Sequence, residues 1–145
     1  MQSDTRLSDA LHVLLHMAQV DKAMTSDALA RSLGTNPAVF RRTMGGLRDA
    51  GIVHAERGPG GGWRLARPTH EITLLAVYEA LSSPTLFAFG NRDRPADCLV
   101  EKSVNAALEG AMAQATALIV NRFKEVTLDQ LVPSGPVHLA IHPER

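Results

Sequence analysis

A mainly α-helical fold with one small β-hairpin, a winged helix-turn-helix followed by a long C-terminal helix, is predicted by three features of the 145-residue sequence. Two short amphipathic segments meet at Gly34-Thr35-Asn36-Pro37. A glycine-rich turn, Gly58-Pro59-Gly60-Gly61-Gly62, separates two short β-patterned runs. An alanine-rich helical run then extends from about Asp97 to Glu125.

Each element has its own signal. Leu7, Leu11, Leu14, Leu15 and Ala18 lay one apolar stripe along a first helix, with Ser3 or Asp4 as its cap. A second helix starts at Thr25 or Ser26, takes Asp27 favourably into its first turn, buries Ala28, Leu29 and Leu33, and stops at Gly34. Asn36 then reads as an N-cap and Pro37 as the first helical residue, where a missing N–H is harmless. This third helix runs to about Ala50 and ends at Gly51. Leu29, Leu33, Phe40, Met44 and Leu47 are available to pack between the two short helices, as a helix-turn-helix requires. Ile52 to Glu56 and Trp63 to Ala66 read as the strands of a hairpin, and Pro68 closes the unit.

Thr73 caps a fourth helix bearing Leu74, Val77, Tyr78 and Leu81, and Ser82 to Pro95 reads as a loop. In the longest helix, Val104, Leu108, Ala111, Ala115 and Leu118 alternate spacings of four and three among many small residues. That period suits packing along another long helix, either a second copy of the chain or this chain's own winged helix. Thr127 is placed to cap a last short turn through Val132. The expected organisation is a DNA-binding winged helix over residues 1–67, a linker helix, loop and long helix over 68–132, and a tail over 133–145.

Charge supports this division. The chain carries 15 Lys+Arg against 15 Asp+Glu, a formal net charge of zero, which taken whole argues against a nucleic-acid partner. Up to Arg67, however, there are nine basic residues against six acidic ones. From Arg31 to Arg67 there are seven arginines against Asp49 and Glu56 alone. A basic segment followed by an acidic one points to nucleic acid, or to a solvated arginine face. With 45% hydrophobic and 21% charged residues the chain is expected to be globular. A single cysteine, Cys98, excludes an internal disulfide and a Cys-rich zinc site. No apolar run nears the roughly 20 residues of a membrane span, and Asp4, Arg6, Asp9 and His12 interrupt the first residues where a signal peptide needs an apolar stretch. A soluble cytoplasmic protein without a membrane partner is expected.

From Asp27 through Tyr78 the sequence resembles the bacterial winged-helix regulators of the IscR and NsrR type, the Rrf2 family. The resemblance rests on Ala50-Gly51-Ile52-Val53, on Arg57-Gly58-Pro59-Gly60-Gly61-Gly62-Trp63-Arg64-Leu65-Ala66, and on Glu71-Ile72-Thr73-Leu74-Leu75-Ala76-Val77-Tyr78-Glu79-Ala80. Cys98 before an alanine-rich helix and Thr127-Leu128-Asp129-Gln130-Leu131 extend it to roughly Leu7 to Val132. It implies a homodimeric, operator-binding transcriptional regulator, usually a repressor, with the long helices of two subunits crossed.

The candidate DNA-binding residues are Thr25, Ser26, Thr35, Asn36, Ala38, Arg41, Arg42, Arg57 and Gly60. Ala38, Arg41 and Arg42 lie side by side near the start of the third helix. An arginine there reads guanine O6 and N7 with two parallel donors. Thr35 and Asn36 suit contacts to a phosphate or a base, and Thr25 and Ser26 a phosphate at a helix start, with simple capping as the alternative role. Glycines such as Gly60 let the hairpin tip approach a duplex, and Arg57 suits a narrow minor groove, where the family places such an arginine. Trp63 is expected to pack the hairpin against the third helix. Two copies would read a pseudo-palindromic double-stranded site.

Many members of the family bind an iron–sulfur cluster through three cysteines between the wing and the long helix. Here Cys98 stands alone, so no cofactor is expected. Cys98 is a candidate redox or electrophile sensor, activated by a helix N-terminus and opposed by Asp97 and Glu101, or else a passive small side chain. The effector itself is not named by these residues. His12 and His16, one turn apart, read as solvated residues on the polar side of the first helix rather than zinc ligands, as do His138 and His142. An enzyme reading fails. The glycine run leads into a strand, not a helix, and no nucleotide-binding, Gly-x-Ser-x-Gly or His-Glu-x-x-His pattern occurs. An alternative keeps the fold as a protein-interaction or ligand-sensing module using Leu86-Phe87-Ala88-Phe89.

Overall fold

The computed structural model describes residues 4–86 and 98–134. The Ser3 cap, most of the apolar run at 86–89, Asp97 and the tail histidines lie outside them. The elements are α1 (Arg6–Ala18), α2 (Ser26–Leu33), α3 (Pro37–Asp49), β1 (Val53–Glu56), β2 (Gly62–Leu65), α4 (Leu74–Ala80) and α5 (Leu99–Glu125). Single 3-10 turns occupy Thr69–Glu71 and Leu128–Leu131. This is a winged helix-turn-helix with a long C-terminal helix.

Local chemistry starts the helices where the side chains allow it. Thr25 Oγ1 accepts the Ala28 N–H, Asn36 Oδ1 accepts the Ala38 N–H, and Thr73 Oγ1 accepts the Ala76 N–H. At α1 the cap residue is Thr5, with no side-chain cap bond, while Asp4 accepts the Arg6 N–H at 3.0 Å. Thr127 likewise caps nothing; its hydroxyl donates to Asp129. The first strand ends at Glu56 as expected and starts one residue later, and the second sits one residue nearer the hairpin tip, because Glu56 pairs with Gly62 and Val53 with Leu65.

One core joins nearly every element. Ala10, Val13, Leu14 and Met17 of α1 meet Leu29 of α2, Phe40, Met44 and Leu47 of α3, and Ile52 and Val53 at the hairpin. The innermost face of α1 is therefore rotated from the expected stripe: Leu7 and Leu11 only flank the core, since α2, α3, α4 and β2 all pack on this helix. Ile72, Val77, Leu81 and Leu128 complete the core from the far end of the chain. Two hydrogen bonds close that end, Leu74 N–H to Val126 C=O and Leu128 N–H to Ile72 C=O, each 2.9 Å.

α5 spans about 40 Å at 1.5 Å per residue and has no fully buried residue. Its inner side rests on α4, where Phe123 meets Tyr78 edge-on at 5.7 Å and the Tyr78 hydroxyl donates to the Pro84 carbonyl. The expected stripe divides between two sides of the helix. Leu108 and Ala115 are half-buried within the chain, whereas Val104 and Leu118 face outward, Leu118 being 73% exposed.

The histidine pair also departs from expectation. His16 is buried, not solvated, and its Nε2 lies 2.9 Å from His12 Nε2. Burial first, and the charge of His12 second, hold the His16 pKa below its ordinary 6.5. The unfolded chain therefore binds more protons as pH drops below about 6.5, and stability falls with it through the lower folded pKa. Urea midpoints measured from pH 8 down to about pH 5 are expected to decline in the parent, and His16→Leu is expected to flatten that decline.

Candidate nucleic-acid interface

The α2–α3 pair presents its candidate residues at two helix starts and one outer face. Thr25 and Ser26 begin α2. Gly34, at φ +58°, ends it, and Thr35 and Asn36 lead directly into α3. Along α3 the buried residues are Phe40, Thr43, Met44 and Leu47, a spacing that turns Ala38, Arg41 and Arg42 outward. A cleft of about 450 Å³ lies between α2 and the start of α3, lined in part by Asp27, Arg31, Thr35 and Pro37.

The same spacing exposes Val39, which was not among the sequence candidates and is 40% exposed. An apolar side chain on this face suits a thymine methyl. Its position on the flank of α3, about 100° round the helix from Phe40, was readable from the periodicity of α3.

In the hairpin, the Gly61 N–H donates to the Gly58 carbonyl at 2.9 Å around a turn with Pro59 and Gly60 at its centre. Gly60 has φ +74° and an exposed backbone, a conformation that a side chain disfavours. Arg57 is exposed immediately after β1.

The hairpin is fastened to the helix-turn-helix by contacts the sequence did not announce. The Met24 N–H donates to the Trp63 carbonyl at 3.0 Å, and the Trp63 N–H to the Met24 carbonyl at 2.8 Å. Met24 thus serves as a one-residue third strand just ahead of α2. A Cβ on Gly62 would collide with the Met24 carbonyl, so this approach needs glycine there. The Trp63 indole N–H donates to Ser26 Oγ at 3.0 Å. Trp63 is therefore tied to the start of α2 while it packs against the core, because the bridge at Met24 brings α2 across its indole. Ser26 and Thr25 each accept one bond through oxygen, which leaves both hydroxyl protons free to donate.

The arginines fall into two sets. Arg48 pairs with Asp49 at 3.2 Å and Arg64 with Glu56 at 3.0 Å. Arg41, Arg42 and Arg57 have no carboxylate partner among the described residues. Arg41 Nε donates only to the Pro37 carbonyl of its own helix. Unpaired, exposed guanidinium groups on α3 and the hairpin are chemically suited to phosphate oxygens and guanine edges. Cys98 stands apart from this surface, exposed at the N-cap of α5.

Comparison with known proteins gives the same direction. The Rrf2 model, described as an iron-dependent transcriptional regulator, matches residues 3–134. YwnA of Bacillus subtilis, named as a candidate HTH-type transcriptional regulator, is 29% identical over 130 residues, covering 89% of this chain and 96% of YwnA. Protein aau3 of Rhizobium meliloti is 31% identical over 134 residues, covering 88% and 82% of the two chains. The crystal structure of Staphylococcus aureus CymR in its oxidized form superposes with a TM-score of 0.67 at 17% identity, covering 94% of this chain and all of that one.

The iron in that family description was tested against the donors present. A cluster takes about four protein ligands, mainly thiolates, and this sequence has one cysteine. Among the described residues no group of three or more His, Cys, Asp or Glu side chains converges as a metal site. The residues do not fit an iron–sulfur cluster.

The fastening of the hairpin has a measurable consequence. Trp63→Phe keeps an aromatic side chain and removes the indole donor, so a stability loss of about 1 kcal/mol is expected from the lost hydrogen bond. Amide hydrogen exchange should quicken at Met24 and Trp63 while the buried turns of α3 keep their protection.

Proposed function

The chain belongs to the Rrf2 family of transcriptional regulators, and from that membership we propose a homodimeric repressor that reads a pseudo-palindromic operator with α3 and steadies itself on the duplex with the wing. The observation that carries this reading is the set of unpaired arginines, Arg41, Arg42 and Arg57, on two elements locked together through Met24, Trp63 and Ser26. In this reading residues 1–67 hold DNA and residues 68–132 carry dimerisation. Arg41 or Arg42 reads a guanine, with Ala38 and Val39 against the neighbouring bases. Thr25, Ser26, Thr35 and Asn36 hold backbone phosphates, and Arg57 enters the minor groove beside the Gly60 tip.

Dimerisation rests on α5. Val100, Val104, Ala107, Ala111 and Leu118 follow one another at spacings of four and three, apart from the interval around Gln114, and all five are exposed among the described residues. Val100 is 72% exposed. A helix apolar on this side and also against α4 leaves a second seam to bury, and small side chains there permit close approach of a second α5.

Cys98 is the proposed sensing group. It is exposed at the start of the helix that carries the dimer seam, and CymR, a protein of the same fold, has been crystallised in an oxidized form. Attack of its thiolate on a peroxide gives a sulfenic acid and reduces the peroxide.

Arg41→Ala or Arg42→Ala is expected to weaken binding to the native operator by about 1–3 kcal/mol and relax the preferred base at one position of each half-site. Arg57→Ala should weaken all duplexes more evenly. If neither α3 variant changes affinity or site preference, the assignment of α3 as the reading helix is wrong. On the α5 seam, Leu118→Asp is expected to give a monomer by sedimentation with much reduced operator affinity; an unchanged dimer would remove α5 from the interface. Cys98→Ala should abolish the response of operator binding to peroxide, and equal responses in variant and parent would end the sensing role.

A further inference from the structure

A cavity of about 260 Å³ opens at the base of the wing, between the end of α1, the segment leading to α2 and the stretch that leaves β2. Lys22, Arg64 and Arg67 line it, with Val20 and Leu65 as part of its apolar wall and Thr69 at its edge. It lies at the opposite end of the hairpin from the glycine tip, since Leu65 pairs with Val53 and Gly62 with Glu56.

The three cations differ in their surroundings. Arg64 Nε is engaged with Glu56 at 3.0 Å. Lys22 and Arg67 have no carboxylate partner among the described residues. The Nε of Arg67 is buried and has no hydrogen-bond partner among the described residues. An arginine keeps its charge and its donors at any physiological pH, and a buried donor without an acceptor is rare in folded proteins.

These features define the missing acceptor. It is anionic, because two uncompensated positive charges face the space. It is rich in oxygen acceptors, because a guanidinium fork is satisfied by paired oxygens and an ammonium by a compact negative charge. It is small, because the cavity is below the roughly 300–1,000 Å³ of sites for drug-sized ligands. We propose that this cavity binds a small phosphate-type oxyanion, held by Arg67 and Lys22 with help from the Thr69 hydroxyl. The bound ion bridges the segment after α1 to the stretch that leaves β2, and so braces the wing from its base. The same chemistry is supplied by a free ion or by a phosphodiester of bound DNA.

The test is calorimetric titration of inorganic phosphate into the full chain at constant ionic strength, with chloride as the balancing anion. Saturable binding is expected, weakened at least tenfold by Lys22→Gln and by Arg67→Gln and unaffected by Arg122→Gln on α5. Lys22 is exposed, so its replacement reports on the site even where Arg67→Gln disturbs the wing. The salt dependence of duplex binding identifies the source. A slope reduced by about one in Arg67→Gln assigns the site to a DNA phosphate, and an unchanged slope beside phosphate binding assigns it to a free ion. Absence of phosphate binding together with an unchanged slope overturns the proposal, as does equal phosphate affinity in the parent and both cavity variants.

Discussion

The two hydrogen bonds between Met24 and Trp63 are the constraint on which the arrangement of this surface depends. A hairpin of four-residue strands is marginal by itself in water. Here it gains a third strand one residue long, admitted because Gly62 has no side chain, and a polar tether from the Trp63 indole to Ser26. The same residues that root the wing also begin α2. Gly34 then turns the chain into α3 within three residues, so the wing and the outward face of α3 are positioned by one short, covalently continuous stretch. At about 0.5–1.5 kcal/mol net for each hydrogen bond, the fastening is modest in energy. Its importance is geometric, because it removes the freedom of the wing to swing relative to the helices.

The far end of the chain supplies a second constraint. α5 runs along α4 and then returns, and Leu128 enters the core of the winged helix beside Ile72. One end of the long helix is thus fixed to the body while most of its outer side is covered by none of the described residues. An element anchored in this way is a long rod that joins its N-terminal end, where Cys98 sits, to the core.

What could be read from the sequence was local. Thr25, Asn36 and Thr73 cap their helices because a short polar side chain next to an apolar-periodic run has few other uses. The glycine-rich turn and the tight α2–α3 connection were legible for the same reason. What escaped depends on residues distant in sequence. Met24 is a single bridging residue with no strand pattern around it, and the pairing of Thr73 with Thr127 joins positions separated by the whole of α5. The burial of His16 reflects the number of elements that surround α1, which no helical wheel of α1 alone contains. Net charge showed that arginines concentrate between Arg31 and Arg67. Only the structure separated Arg48 and Arg64, neutralised by Asp49 and Glu56, from Arg41, Arg42 and Arg57.

That separation makes the zero net charge of the whole chain a poor guide to its encounter with DNA, because the acidic excess lies beyond Arg67, whereas Arg41, Arg42 and Arg57, without carboxylate partners among the described residues, lie on α3 and the wing. The most direct measurement of this claim is the dependence of duplex-DNA affinity on salt concentration for the full chain. A logarithmic plot falling linearly with a slope of several units, near 0.9 for each phosphate neutralised, is predicted. A slope near zero, or no binding to duplex DNA at low salt, would contradict it.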